Sequence, residues 1–328
     1  MKLIFFYGVD SMLANSWEDT TSSFKAQIIG KLLGDGSIVK QKGRKPRFKF
    51  NHTETDYSWT NYCFKQLRKD IPLSPPKYSK LIDKRLRKGY STRYYVQSKT
   101  SPVISYLHTY WYPSSKRVIP FHLLEYFFTA ESLAWWYMDD GNLTADNDTP
   151  RKIILSTDSF SVEENHHLIF FLQQKFQLKF SLDAQNRLIL YDSFQIHYFL
   201  YLIHPYIQQH CLYRKTRDHS FIFQTISARR TTIYLPSDIP VNKPTQDINN
   251  ILSHLSIMSS HFKKGRFYDN YLRCITTFVQ DIDKKSFQII INSENISNLE
   301  FLKQNTGLHF SQLAFLCYQV MKKDSSIY

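Results

Sequence analysis

Cysteine is scarce in this sequence, and the few residues present are scattered. Cys63, Cys211, Cys274 and Cys317 form no C-x-x-C, and no paired histidines stand at metal-ligand spacing. A disulfide framework and a structural zinc site are therefore both excluded as organising principles, and buried free thiols in a reducing compartment are expected. Long apolar runs are also missing: none approaches the ~18 residues of a membrane span. The stretch Lys2-Leu3-Ile4-Phe5-Phe6-Tyr7-Gly8-Val9 leans toward a leader, but Asp10 interrupts it and no cleavage site follows, so a non-secreted protein is expected. Acidic residues, finally, are nearly absent from the first half. Residues 25–117 hold 21 Lys+Arg against 5 Asp+Glu, whereas residues 118–216 hold 7 against 11. Such a one-sided segment calls for a polyanionic partner, and nucleic acid fits best.

A hydrophobic content of 42% and an aromatic content of 16% predict a folded chain, and 328 residues leave room for about two domains with ample cores. Two stretches stand out. Ile28-Ile29-Gly30-Lys31-Leu32-Leu33-Gly34-Asp35-Gly36 and Leu133-Ala134-Trp135-Trp136-Tyr137-Met138-Asp139-Asp140-Gly141 are each an apolar helical run ending in an acid and then glycine. The C-terminus of a helix carries partial negative charge, which disfavours aspartate there, while glycine is the normal stop. Two such acids 105 residues apart suggest two copies of one unit, side by side, that hold a cation between them. Gly30 and Gly34, spaced i, i+4, would let a partner helix approach closely, with Ala134 as the small residue on the other helix.

The pattern after each stretch repeats. Ser37 to Lys42, a turn at Gly43-Arg44-Lys45-Pro46, and Arg47 to Asn51 read as a hairpin with Phe48 and Phe50 inward and Arg47, Lys49 and Asn51 outward. A helix over Asp56–Lys69 is expected to bury Tyr57, Asn61, Phe64 and Leu67. A second hairpin follows (Lys80 to Arg87, Tyr90 to Ser98), then a helix over 101–111. In the second half Arg151-Lys152-Ile153-Ile154-Leu155-Ser156 falls in register with the first hairpin, Ser161-x-x-Glu164 is a capping box opening a helix to Phe176, Arg187–Ser193 reads as a strand, and Gln195–Leu202 as a helix. Trp135 and Trp136 are expected in the core, and Asp146, Asp148 and Asp158 in loops or caps.

The motifs Gly30-x-x-x-Gly34-Asp35-Gly36 and Leu133 to Gly141 resemble the two motifs of a monomeric, intron-encoded LAGLIDADG homing endonuclease, and the resemblance spans roughly residues 24–215. It implies an α+β fold: two pseudo-symmetric αββαββα domains with saddle-shaped antiparallel sheets. Here these would be residues 24–120 and 121–216, after a lead-in of residues 1–23 whose Ser22 or Ser23 caps the first helix. A mainly helical C-terminal extension (217–328) begins with a linker (217–247), continues through helices Gln246–Phe262 and Tyr268–Asp281 and a strand Phe287–Asn292, and ends in a possible helix-turn-helix over Leu299–Leu316.

The resemblance further implies a site-specific cut of both strands of a long, asymmetric double-stranded DNA target. Mg²⁺, with Mn²⁺ as a substitute, would be held by Asp35 and Asp140, assisted by the backbone of Gly34 and Asp139; Asp139 itself is expected to be a cap or to lie behind the ligands. A basic side chain from each half would stand beside the metals. Arg117 and Arg214 match those positions with arginine in place of lysine, which limits them to charge stabilisation or water orientation; the neighbouring Lys116 and Lys215 could take the role. Candidate DNA contacts are Lys40, Lys42, Arg44, Arg47, Lys49, Asn51, Lys84, Arg85, Arg87, Arg93, Arg151, Lys152 and Arg187. An intron RNA maturase, a non-cleaving DNA-binding regulator and a metal enzyme acting on small substrates are the alternatives. An organelle (mitochondrion or chloroplast) or a microbial cytoplasm is the expected setting.

Overall fold

The computed structural model describes residues 11–146, 149–207, 223–276 and 283–325. The sequence repeat becomes a structural one. Helix α1 (Ser11–Glu18) precedes α2 (Ser22–Leu33), β1 (Ser37–Val39), β2 (Arg47–Thr53), α3 (Tyr57–Leu67), β3 (Lys77–Ile82), β4 (Tyr90–Gln97) and α4 (Pro102–Trp111). Helix α5 (Phe121–Phe127) then leads into α6 (Ala130–Asp140), β5 (Gly141–Asp146), β6 (Thr149–Leu155), α7 (Val162–Phe176), β7 (Ser181–Leu182), β8 (Leu188–Leu190) and α8 (Ser193–Ile203). Each half is αββαββα, and the antiparallel sheets share one strand order, β1-β2-β4-β3 and β5-β6-β8-β7.

Strand alternation sets the faces. Phe48, Phe50 and His52 of β2 point into the core, while Arg47, Lys49 and Thr53 are exposed. In the second sheet Ile153 and Leu155 are buried and Arg151 is exposed. The box at Ser161 and Glu164 forms in both directions, and Glu164 also accepts the Ile119 N–H at 2.9 Å, tying α7 to the link between the halves.

Several sequence expectations need correction. The lead-in holds α1, whose Trp17 is fully buried and stacks on Tyr106. Helix α2 is capped by Thr21, which accepts the Phe24 N–H, and not by Ser22 or Ser23. Helix α3 buries Trp59, Thr60, Cys63, Phe64 and Leu67, a face rotated from the expected one; Tyr57 is exposed and packs on Tyr94. The segment read as a linker contains β9 (Arg229–Pro236), paired antiparallel along its whole length with β10 (Lys284–Ile291). Its alternating Ile233 and Leu235 are buried, a short period that the flanking prolines obscured. The long helix at 246–262 is two, α9 (Pro244–Leu252) and α10 (Leu255–Lys263), followed by α11 (Phe267–Thr276).

The closing helices are α12 (Ser293–Thr306) and α13 (Phe310–Ser325). Gly307 takes the left-handed conformation (φ 71°) that ends α12, and a side chain there would run into the Ser193 backbone. The turn thus docks on the start of α8. Helix α13 lies against α9 and β9, with Leu313, Ala314, Leu316 and Cys317 buried. The extension also meets α8 through Tyr268, which packs on Phe194, Tyr198 and Tyr201. Cys63, Cys274 and Cys317 are buried. Among the described residues no helix is long and apolar enough to cross a membrane.

Candidate functional site

The two halves meet along α2 and α6, whose residues are matched about 105 apart. At the N-terminal end Ser23 Oγ and Gln27 Nε2 donate to the Glu131 carboxylate at 2.9 and 2.7 Å. Midway, a Cβ on Gly30 would stand 2.9 Å from Trp135 Cβ and nearer still to the Ser132 carbonyl. One turn on, a Cβ on Gly34 would stand 2.6 Å from Asp139 Cβ and Oδ2. Only glycine allows this approach at either place. Ala134 is buried in α6, but the residues lying against the two glycines are Ser132, Trp135 and Asp139.

At the far end, Asp139 is the centre of a buried polar cluster. Its Oδ1 accepts from Lys31 Nζ (2.6 Å) and Trp59 Nε1 (2.8 Å), and its Oδ2 accepts the backbone N–H of Asp35 (3.0 Å). The Lys31 and Asp139 side chains are completely buried. Burial alone would pull the Lys31 pKa down, but attraction to Asp139, with smaller parts from Cys63 and Asp35, turns the shift upward. Burial likewise works against ionised Asp139, and the adjoining Lys31 charge overcomes it, holding the carboxyl well below its ordinary range.

His52 completes the cluster with its tautomer fixed by its neighbours. Thr60 Oγ1 gives its hydrogen to the Asp56 carbonyl, so His52 Nδ1, 2.7 Å from that hydroxyl, must be the donor. The lone pair on Nε2 then accepts from Lys31 Nζ at 2.7 Å. Burial, reinforced by the Lys31 charge, lowers the His52 pKa to about 4, so the ring is neutral at physiological pH.

Asp35, Asp139 and His52 bring one possible metal-ligand atom each within 4.8 Å of one another. The ammonium of Lys31 already lies between two of those atoms, at 2.6 and 2.7 Å. A metal bound by all three would have to displace a buried lysine, which argues against Asp139 and His52 as ligands. The acid pair fits better. The Asp35 carboxylate is 38% exposed, with Oδ2 3.6 Å from His52 Nε2, and Asp140 closes α6 one residue beyond the carboxylate that bonds the Asp35 amide. Both acids therefore leave the same end of the helix pair, where backbone carbonyls concentrate negative potential. With the Gly34 and Asp139 carbonyls the donors are all oxygen, which suits a hard divalent cation.

Arg117 is placed beside this end. Its Nη2 donates to the Leu32 carbonyl and more weakly to that of Leu33 (3.4 Å), capping α2, and its guanidinium lies over the Phe160 ring at 4.8 Å. Burial lowers its pKa, and Tyr112, Asp140 and Glu164 oppose that, so it stays charged within the field of Asp140. Lys116 is exposed. Arg214 and Lys215 lie outside the described residues.

The candidate DNA-contacting residues divide into two groups. Strand register puts Arg47, Lys49 and Asn51 on one face with Arg93, Tyr95 and Lys77, and Arg93 reaches Asn51 Oδ1 at 3.4 Å. Lys40, Lys42, Arg44, Lys84 and Arg87 are exposed in the turns beside that face. Arg85, in contrast, is held by Asp83, Arg151 by Asp146 and Arg187 by Asp183, the last at 2.7 Å. Lys152 is half-buried, near the Tyr191 ring.

The sequence profile of the LAGLIDADG DNA endonuclease family matches residues 25–192, the two repeated halves just described. The chain belongs to the LAGLIDADG DNA endonuclease family. Among similar proteins, a probable intron-encoded endonuclease of Wickerhamomyces canadensis is 27% identical over 200 residues, 58% of this chain and 83% of that protein. An uncharacterized protein of Methanocaldococcus jannaschii is 28% identical over 200 residues, 58% of this chain and 72% of that one. A cytochrome b mRNA maturase of Debaryomyces hansenii is 26% identical over 188 residues, 55% and 68% of the two chains. The solved structure of the homing endonuclease I-WcaI bound to its DNA recognition sequence has the same fold, with a TM-score of 0.53 and 22% identity, over 66% of this chain and 96% of that one.

Lys31, His52 and Trp59 are site residues that sequence reasoning missed. A lysine within an apolar helical run and a histidine at the next inward position after Phe48 and Phe50 were the available signals.

Proposed function

We propose that this protein is a site-specific endonuclease that hydrolyses both strands of a long, asymmetric double-stranded DNA target as a monomer, with Asp35 and Asp140 as the metal-binding acids. The observation that carries the reading is the end of the α2–α6 pair. There Asp35 and Asp140 follow the paired helices α2 and α6 at the same end, and each leads into the first strand of an antiparallel sheet, β1 at Ser37 and β5 at Gly141.

Members of this family use a divalent metal, and Mg²⁺ suits an all-oxygen donor set; when bound, it activates water and stabilises charge on the departing oxygen. The protein's own residues prepare the place. Asp139 fixes the backbone of Asp35, while the buried Lys31 keeps the Asp139 carboxylate from serving as a ligand. Arg117 contributes a fixed positive charge and no proton transfer, since a guanidinium stays protonated. The exposed cations of the first sheet hold the duplex, whose major groove admits a two-stranded ribbon. Residues 24–120 and 121–216 form the two DNA-straddling domains, and residues 217–328 are an extension braced on the second.

The test is cleavage of a plasmid carrying the joined exons that flank the host intron. With Mg²⁺, Asp35→Asn and Asp140→Asn are each expected to abolish cutting while leaving DNA affinity within about twofold. Full activity in either variant refutes the assignment. The similarity to a maturase favours a second reading, in which the same basic sheets bind intron RNA. That reading requires tight, specific binding of the intron transcript and loss of splicing on deletion.

A further inference from the structure

We propose that Asp139 is a positioning residue for Asp35 alone, so that the two strands of the target are cut by unequally supported acids. The inference rests on the endonuclease reading and deepens it. The asymmetry is visible in the cluster. Asp139 Oδ2 holds the Asp35 amide at 3.0 Å, and Lys31 and Trp59 fix the other oxygen at 2.6 and 2.8 Å. All of this surrounds a carboxylate with no solvent exposure.

The pseudo-dyad cannot repeat the device. The residue matching Asp139 in the first motif is Gly34, which has no carboxylate to offer the Asp140 amide, and its Cα lies so close to Asp139 that none would fit. The residue matching Lys31 in the second motif is Trp136, fully buried and uncharged. Asp140 instead belongs to α6 itself, with its carbonyl accepting the Ser156 N–H at 3.1 Å and Arg117 nearby as a field. The Asp35 amide is therefore held by a side chain reaching across the interface, whereas the Asp140 amide lies within its own helix. Displacing a reacting group by 1 Å costs about 10²-fold in rate, so loosening the first arrangement should slow one cut selectively.

The decisive variant is the pair Lys31→Met with Asp139→Leu, which removes both buried charges together and so leaves neither without its counter-charge. Two readouts apply. In metal-free protein, hydrogen exchange of the Asp35 amide should accelerate at least about tenfold once its acceptor is gone. On supercoiled plasmid bearing the target, nicked circles should accumulate, and strand-specific end labels should show one strand slowed about 10- to 100-fold and the other nearly unchanged. Trp59→Phe, which deletes one donor and no charge, should slow the same strand by about two- to tenfold.

A general loss of stability would slow both cuts alike, so equal slowing of the strands overturns the inference, as does an unchanged Asp35 amide or unchanged cleavage. Wild-type protein that cuts no target overturns the endonuclease reading and the strand assignment with it, and the exchange measurement then separately decides whether Asp139 holds Asp35.

Discussion

Lys31→Met tests the buried cluster most directly, because it leaves the Asp139 carboxylate in the core without its cation. Breaking a buried pair by removing one partner costs about 3–5 kcal/mol, whereas replacing both by apolar residues is near neutral. Against a total stability of about 5–15 kcal/mol for a native protein, the single variant should be badly weakened at neutral pH and the double variant with Asp139→Leu should not. The cost should also depend on pH, through His52. In the wild type this ring is held neutral with a pKa of about 4, below its ordinary 6.5. The unfolded chain therefore takes up a proton before the folded one, and wild-type stability falls as pH drops from 6.5 toward 4. At pH 5 the loss is about 2 kcal/mol, from 1.36 kcal/mol per pH unit. In Lys31→Met the charge that repelled a proton from His52 is gone while Asp139 remains, so the ring can protonate and take the place of the lysine. The gap between wild type and variant should accordingly narrow between pH 7.5 and pH 5, by less than the wild-type loss, because burial still holds the ring's pKa down. Urea unfolding of both proteins in chelator at the two pH values measures it. A cost below about 1 kcal/mol at pH 7.5, or a gap that does not close in acid, would refute the reasoning.

The helix seam and the DNA face give two further predictions. Gly30→Ala puts a methyl group 2.9 Å from Trp135 Cβ and closer to the Ser132 carbonyl, so the helices must part, at about 1–3 kcal/mol in urea unfolding; an unchanged midpoint would mean that the seam is looser than the geometry shows. Arg47→Ala with Lys49→Ala should lower the slope of log K against log salt by about 2, read by titration on target DNA. Arg187→Ala should leave that slope unchanged, because Asp183 already holds this guanidinium through two nitrogens, at 2.9 and 2.7 Å.

Local patterns carried much of this architecture. The alternation of Phe48 and Phe50 and the box at Ser161 and Glu164 each express a rule that acts within a few residues, and each survives folding. What escaped depends on contacts far apart in the chain. Asp139 meets Lys31 across 108 residues and Trp59 across 80, so nothing in the local period of α3 announces that its buried face is turned to deliver Trp59. The same holds for α1, where Trp17 fills a gap between Tyr106 and Phe127, and for β9, which is a strand because β10 lies beside it.

The charge imbalance between the halves takes on a structural meaning in the same way. In the first sheet the outward cations Arg47, Lys49 and Lys77 share their face with no acid. In the second, Arg151 and Arg187 are bound to Asp146 and Asp183, and Lys152 stands half-buried among Asn142, Thr144 and Ile154. On the endonuclease reading, the two half-sites are then held by different physics. The first half supplies most of the counterion release and hence most of the salt-dependent affinity, while the second must rely on hydrogen bonds and fit. The division of labour parallels the one at the acids, where Asp139 holds the Asp35 amide and has glycine as its counterpart in the first motif. A target read this way has no reason to be palindromic, because the two faces that meet it are not chemically alike.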